Sequence, residues 1–125
     1  MQNLPFAIAS ILGIVTLGVH VFVGGIYVVR PLLAAPGLSR ASRWLNYYCW
    51  HMTTLTIAVM AGVFAFAAAS GDGRNLALVF TMLAALFSAL CVSVAITGGI
   101  APYRFPATSL FAAIALVGGW GLVAS

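Results

Sequence analysis

The chain has 125 residues, 64% of them hydrophobic and 5% charged, with a mean hydropathy of +1.18. One domain, residues 1–125, is what such a length makes, and six charged side chains cannot cover a water-facing surface, since soluble domains devote about a quarter of their residues to charge. A soluble fold is therefore excluded, and the net charge of +4, carried by arginines scattered between apolar segments with no basic face, excludes nucleic acid as a partner.

Four apolar segments are each long enough to cross a hydrocarbon core about 30 Å thick, which takes about 20 helical residues. The first runs from about residue 5 to residue 30, with Pro5 suited to a first helical turn. Its apolar run is far longer than the core of a secretory signal, and no positive stretch precedes it. Pro31 removes a backbone donor and disfavours helical geometry at Arg30, so an end or kink is expected there, with Pro36-Gly37 making the turn. Ser39 or Ser42 can cap the second helix, about 43–69. Gly71-Asp72-Gly73 reads as a tight polar turn, and Asp72 is the only acidic side chain in the chain. The third helix is expected over about 75–97, stopping at Gly98-Gly99. A loop with Pro102, Tyr103, Arg104 and Pro106 leads to the fourth, about 107–123.

Four spans return the chain to the side on which it started. Loops one and three then share a side and carry Arg30, Arg40, Arg43 and Arg104, against Arg74 alone, beside Asp72, on the other. The positive-inside rule puts loops one and three in the cytoplasm and both termini outside, in the inner membrane of a bacterium. Trp44, Tyr47, Tyr48 and Tyr103 fall where a cytoplasmic aromatic belt belongs, and Trp120 toward the opposite face. Small residues recur four apart at Ala58 and Gly62, Ala61 and Ala65, Ala84 and Ser88, and Ala115 and Gly119, the spacing that lets helices approach closely in lipid. Cys49 and Cys91 lie inside helices without ligand spacing and read as buried packing residues.

Ionisable groups inside a membrane are expensive and are the first places to look for function. Only His20 and His51 qualify. With helix one ending at Arg30 and helix two starting near Ser42, the two lie about 15 Å and about 13–14 Å from the turn joining their helices, nearly one depth. Were helix one to continue to Ala35, the mismatch would grow to about 8 Å. The plainest role for each is interhelical hydrogen bonding. The sharper one is a b-type haem held by two axial imidazoles, with Gly24 and Gly25 admitting the macrocycle and Arg30, Arg40, Arg43, Tyr47 and Tyr48 toward the propionates. Thr54, Tyr47 and Tyr48 share the His51 face. A quinone or other polar-headed lipid, hydrogen-bonded by one histidine with Tyr27 or Thr54, is the alternative ligand. A metal site has at best His20, His51 and Cys91, with no carboxylate to complete the shell.

The run His20-Val-Phe-Val-Gly-Gly-Ile-Tyr-Val-Val-Arg-Pro-Leu-Leu33 resembles a helix of copper-resistance D proteins and of haem-containing protoporphyrinogen oxidases, in which an aromatic, a glycine pair and then Arg or Pro before Leu approach a helix end. The resemblance covers one helix in four and implies haem. The lysine expected of those oxidases has no counterpart here, so no activity is carried over.

A proton-coupled exporter, similar in length and helix count, needs a membrane-embedded carboxylate, and Asp72 sits in a turn, so a small transporter ranks last. Ser88, Ser93 and Ser109 have no acidic residue to orient a histidine base, and phosphate-cradling and zinc-hydrolase motifs are absent. The expectation is an all-α four-helix transmembrane bundle with short loops, whose polar constellation is too sparse to name an enzymatic activity. Its favoured role is an accessory or assembly subunit that packs against other membrane subunits or itself. The alternative is a haem b, quinone or lipid-binding protein using His20, His51, Tyr27, Arg30, Tyr47 and Thr54, with electron transfer a further role.

Overall fold

A computed structural model describes residues 4–124, which among them form helices and turns and no strand. Four helices are long and apolar enough to cross a membrane: α1 (Leu4–Ala34), α2 (Arg40–Ser70), α3 (Arg74–Thr97) and α4 (Pro106–Ala124). Their ends follow from local chemistry. Ser39 caps α2, its Oγ accepting the Ser42 N–H at 3.1 Å, which moves the start of α2 to Arg40, ahead of the expected position. Gly71 and Gly73, at φ +71° and +93°, make the turn from α2 to α3 in a conformation that side-chain-bearing residues avoid. At the far end of α3, Gly99 at φ +66° lets Ile100 N–H reach back to Ala95 C=O at 2.8 Å.

Helix α1 does not end at Arg30. It runs through Pro31 to Ala34, because its middle, Val19–Val29, is wound as a π-helix. The Arg30 N–H bonds to the carbonyl of Gly25, five residues back. A proline ring in an α-helix presses on the carbonyl four residues earlier, here that of Tyr27, and leaves it without a donor. The wider π turn carries the carbonyls past the ring and lets the helix continue.

Helix α1 packs on α2 and α4, and α3 on α4, while α2 and α3 touch only lightly. The first turn of α1 meets the last turns of α4 through Phe6 and Gly121, and the Gly73 turn lies against Phe66, so the helices alternate in direction. The main core cluster leans toward that end of the molecule, Ala95 being buried separately near the opposite end of α3. The cluster's buried members are Phe6, Ala9, Ile57, Met60, Phe64, Ala67, Ala77, Ala84, Phe111 and Ile114. Ser10 Oγ donates to Ala61 C=O across α1 and α2 at 2.9 Å, beside the close approach of Gly13 to Ala61. Of the small-residue pairs, Ala61 and Ala84 are buried, whereas Ala58, Gly62 and Ala65 face outward, and close glycine contacts within the core are at Gly118, on Thr81 and Phe64, and at Gly121, on Phe6.

Beyond this core the molecule opens. No residue of α1 from Val19 onward is buried, and none of α2 over residues 40–56. Helices α3 and α4 stay joined there, Ser88 Oγ donating to Thr108 C=O at 2.9 Å. The α1–α2 arm therefore stands apart from the α3–α4 loop. The outward-facing surface carries Ile11, Ile14, Leu55, Val59, Val79, Leu86, Leu90 and Leu116, all apolar.

Candidate functional site

The gap left by the open half is a lateral cleft of about 570 Å³ between the π segment of α1, Trp50 of α2 and the loop entering α4. Val19, Val23, Val28, Phe105, Pro106 and Ala107 give it apolar walls. His20, Tyr27 and Arg104 are its polar side chains.

Trp50 joins the two arms of the cleft. Its indole lies parallel to the His20 imidazole, with centroids 3.8 Å apart and 14° between planes. The far edge of the same indole rests on the bare backbone of Gly24, where a Cβ would collide with it. Glycine is required at that position for the ring to reach α1. The Trp50 carbonyl accepts from Thr54 Oγ1 at 3.1 Å and meets His20 Nε2 at 3.4 Å. A carbonyl only accepts, so this contact needs the His20 proton on Nε2.

The two histidines reach the same depth but not the same space. Although α1 continues through Pro31, the π winding packs more residues into its length and α2 begins earlier. His20 thus comes level with Trp50, the neighbour of His51. Successive helical residues point about 100° apart, a consequence of 3.6 residues per turn. Trp50 takes the direction facing α1, and the exposed His51 turns onto Tyr47, whose ring meets it edge-on at 4.5 Å and 86°. His51 does not line the cleft. Nor do Arg30, Tyr47 or Thr54, whereas His20 and Tyr27 do. Holding a haem between the imidazoles would require His20 to leave the Trp50 stack and α2 to turn His51 inward, and the open backbone foreseen at Gly24 is already covered by Trp50. Among the described residues no three of His, Cys, Asp and Glu converge as a metal's ligands would. Both cysteines are free thiols, and Cys49 is exposed where burial was expected.

Trp50 and Arg104 are the lining residues that sequence reasoning missed as site residues. For Trp50 the usable signal is its place one residue before His51. For Arg104 the signal is that loops one and three share an end, which brings this loop charge beside the α1–α2 arm. A short 3₁₀ turn, Pro102–Arg104, holds it, closed by Arg104 N–H to Ala101 C=O at 2.9 Å and Phe105 N–H to Pro102 C=O at 3.1 Å.

No family model matches the chain, and no curated protein or solved structure was found to match it.

Proposed function

We propose that the chain is an integral membrane protein that holds a chain-like amphiphile, a lipid or a quinone, in the lateral cleft beside the π segment. The carrying observation is the make-up of that cleft, apolar along Val19, Val23 and Val28 and polar at His20, Tyr27 and Arg104. Binding sites of several hundred Å³, mostly apolar with a few polar groups to fix orientation, are the usual form for small ligands. Placement in a bilayer is supported by the four apolar helices and by an outer surface made of large aliphatic residues. The distribution of arginines supports an orientation with the cleft end, which carries Arg30, Arg40, Arg43 and Arg104, at the cytoplasmic face of a bacterial inner membrane and the helix termini outside. The side chains lining the cleft, aliphatic walls with three polar groups, support a binding role.

Native mass spectrometry of protein released from a mild neutral detergent tests this. One retained amphiphile per chain is expected, and Val23→Trp, which fills the cleft from an exposed wall position, should remove it. A wild-type chain that carries only detergent would overturn the reading.

A second reading, an accessory subunit that packs on another membrane helix, is favoured by a separate apolar groove of about 270 Å³. Met52, Leu55, Thr56, Val59, Phe80 and Leu83 line it where α2 and α3 barely meet. Gentle-detergent purification should then retain a partner or a defined oligomer that Val59→Trp releases. A monomer with no partner counts against it.

A further inference from the structure

Resting on the cleft as the binding site, we infer that its occupant bears an oxyanion head, carboxylate or phosphate, seated on Arg104, with a single hydrocarbon chain laid along Val19 and Val23 beneath Trp50.

The argument begins with charge. Among the described residues Arg104 is the only charged side chain lining the cleft, and the two other polar side chains there, His20 and Tyr27, bring no negative charge. The chain possesses one carboxylate side chain, Asp72, and it sits in the α2–α3 turn at the opposite end of the molecule. Arg104 therefore has no counter-ion to draw from its own fold. Two of its fellow arginines have found backbone partners, Arg43 on Ala35 C=O at 2.7 Å and Arg74 on Leu122 C=O at 2.8 Å. Among the described residues the Arg104 guanidinium has neither a hydrogen bond nor an ion pair. An unmatched cation beside an apolar trough selects against cationic amphiphiles and gives a neutral quinone no advantage. A planar fork of N–H donors matches the paired oxygens of a carboxylate or phosphate.

Geometry adds pre-organisation. The loop carrying Arg104 runs between Pro102 and Pro106 and is closed by three successive backbone hydrogen bonds, the third from Thr108 N–H to Phe105 C=O at 3.0 Å. A loop backbone so braced needs no ordering of its own when the Arg104 guanidinium binds. Size limits the ligand further. At roughly the 30 Å³ that a water molecule occupies in the liquid, the cleft has room for about 19 heavy atoms, a head and one chain. A free fatty acid fits entirely. A phospholipid fits with its second chain left in the bilayer, which the lateral opening allows.

The test uses the full chain, delipidated in neutral detergent, with Trp44→Phe and Trp120→Phe so that Trp50 alone reports. It is titrated separately with oleate, dioleoyl phosphatidate, monoolein and decylubiquinone. Oleate or phosphatidate should change Trp50 emission saturably at one per chain, and the tighter of the two identifies the source of the oxyanion. Arg104→Gln should weaken that binding roughly tenfold or more, the scale of a lost charge-assisted bond, and leave monoolein where it was. Arg40→Gln, a charge at the same end but outside the cleft, should change nothing, and unaltered thermal unfolding of both variants checks the fold. Equal affinity for monoolein or decylubiquinone and oleate, or equal losses in the two arginine variants, overturns the oxyanion assignment while the cleft remains a binding site. Saturable binding of none of the four overturns both readings.

Discussion

At the scale of single residues, the joint between the two halves of the cleft is one indole held between a bare backbone and an imidazole. Stacked aromatic pairs contribute about 0.5–1.5 kcal/mol beyond area burial, so the His20–Trp50 pair is a modest clamp whose geometry depends on Gly24. Gly24→Ala places a methyl where the Trp50 ring edge lies. The ring can leave only by giving up the stack, and destabilisation of about 1–3 kcal/mol is expected, the usual cost of overpacking. Unfolding in mixed micelles measures the loss, and a shifted Trp50 emission, with the other two tryptophans replaced by phenylalanine, reports the displacement. Gly25→Ala, one residue on with nothing within 4 Å, should do neither. His20→Phe should keep the emission near wild type because a ring still covers the indole, whereas His20→Ala should not. These residues also mark the limit of sequence reading. Depth along a helix follows from counting, and it brought His20 level with the His51 region. Direction around the helix usually follows from contrast between an apolar and a polar face. In α1 and α2 both faces are apolar, so nothing in the pattern distinguished Trp50 facing inward from His51 facing out.

Among the elements, helix limits were legible because glycine, proline and serine act within a few residues of where they stand. Ser39, Gly71, Gly73 and Gly99 each terminate or cap as local chemistry dictates. The winding of α1 was not legible, since proline marks an obstruction without saying whether the helix stops or widens. The run preceding it, rich in Val and Ile around Gly24-Gly25, crowds an ordinary helical turn and adds to the same tendency. Pro31→Ala removes the ring and restores a donor, so the segment should return toward α geometry and lengthen. Spin labels at Val15→Cys and Arg30→Cys, with Cys49 and Cys91 replaced by serine, measure this directly. A fully α-helical span of that length is about 22 Å between backbones. The wild-type distance should be shorter than in Pro31→Ala, and identical distances would refute the account of the π winding. Close packing in the core separates the glycines in the same way. Gly118→Ala puts a methyl against Thr81 and Phe64 and should cost about 1–3 kcal/mol. Gly62→Ala meets nothing and should gain up to about 1 kcal/mol from helix propensity. Thermal unfolding in detergent compares the two.

Over the whole molecule, packing and charge are divided between opposite ends. The tight core gathers where Phe6, Phe64 and Gly121 meet, near the end that holds Asp72 and Arg74. The open half carries the other four arginines and the cleft. In a bilayer this division has a mechanical sense. The closed end needs no ligand to complete its contacts, whereas the open end presents an apolar trough beside a row of cations, which the proposed orientation sets among the headgroups of the cytoplasmic leaflet, where anionic lipids concentrate. Orientation therefore decides whether the cleft faces the leaflet that best supplies its oxyanion. With both native cysteines replaced by serine, a single cysteine at Tyr103 should resist a membrane-impermeant maleimide added outside intact cells and react once the cells are opened. One at Asp72 should react from outside. Exchange of arginine between the ends, with Arg40→Gln and Arg43→Gln combined with Asn75→Arg and Ser70→Arg, should shift the labelling toward the inverted topology, since the four-to-one bias becomes two against three. Labelling at Tyr103 from outside in the unaltered chain would place the cleft in the outer leaflet and leave the cations there without the surface potential on which the proposed role draws.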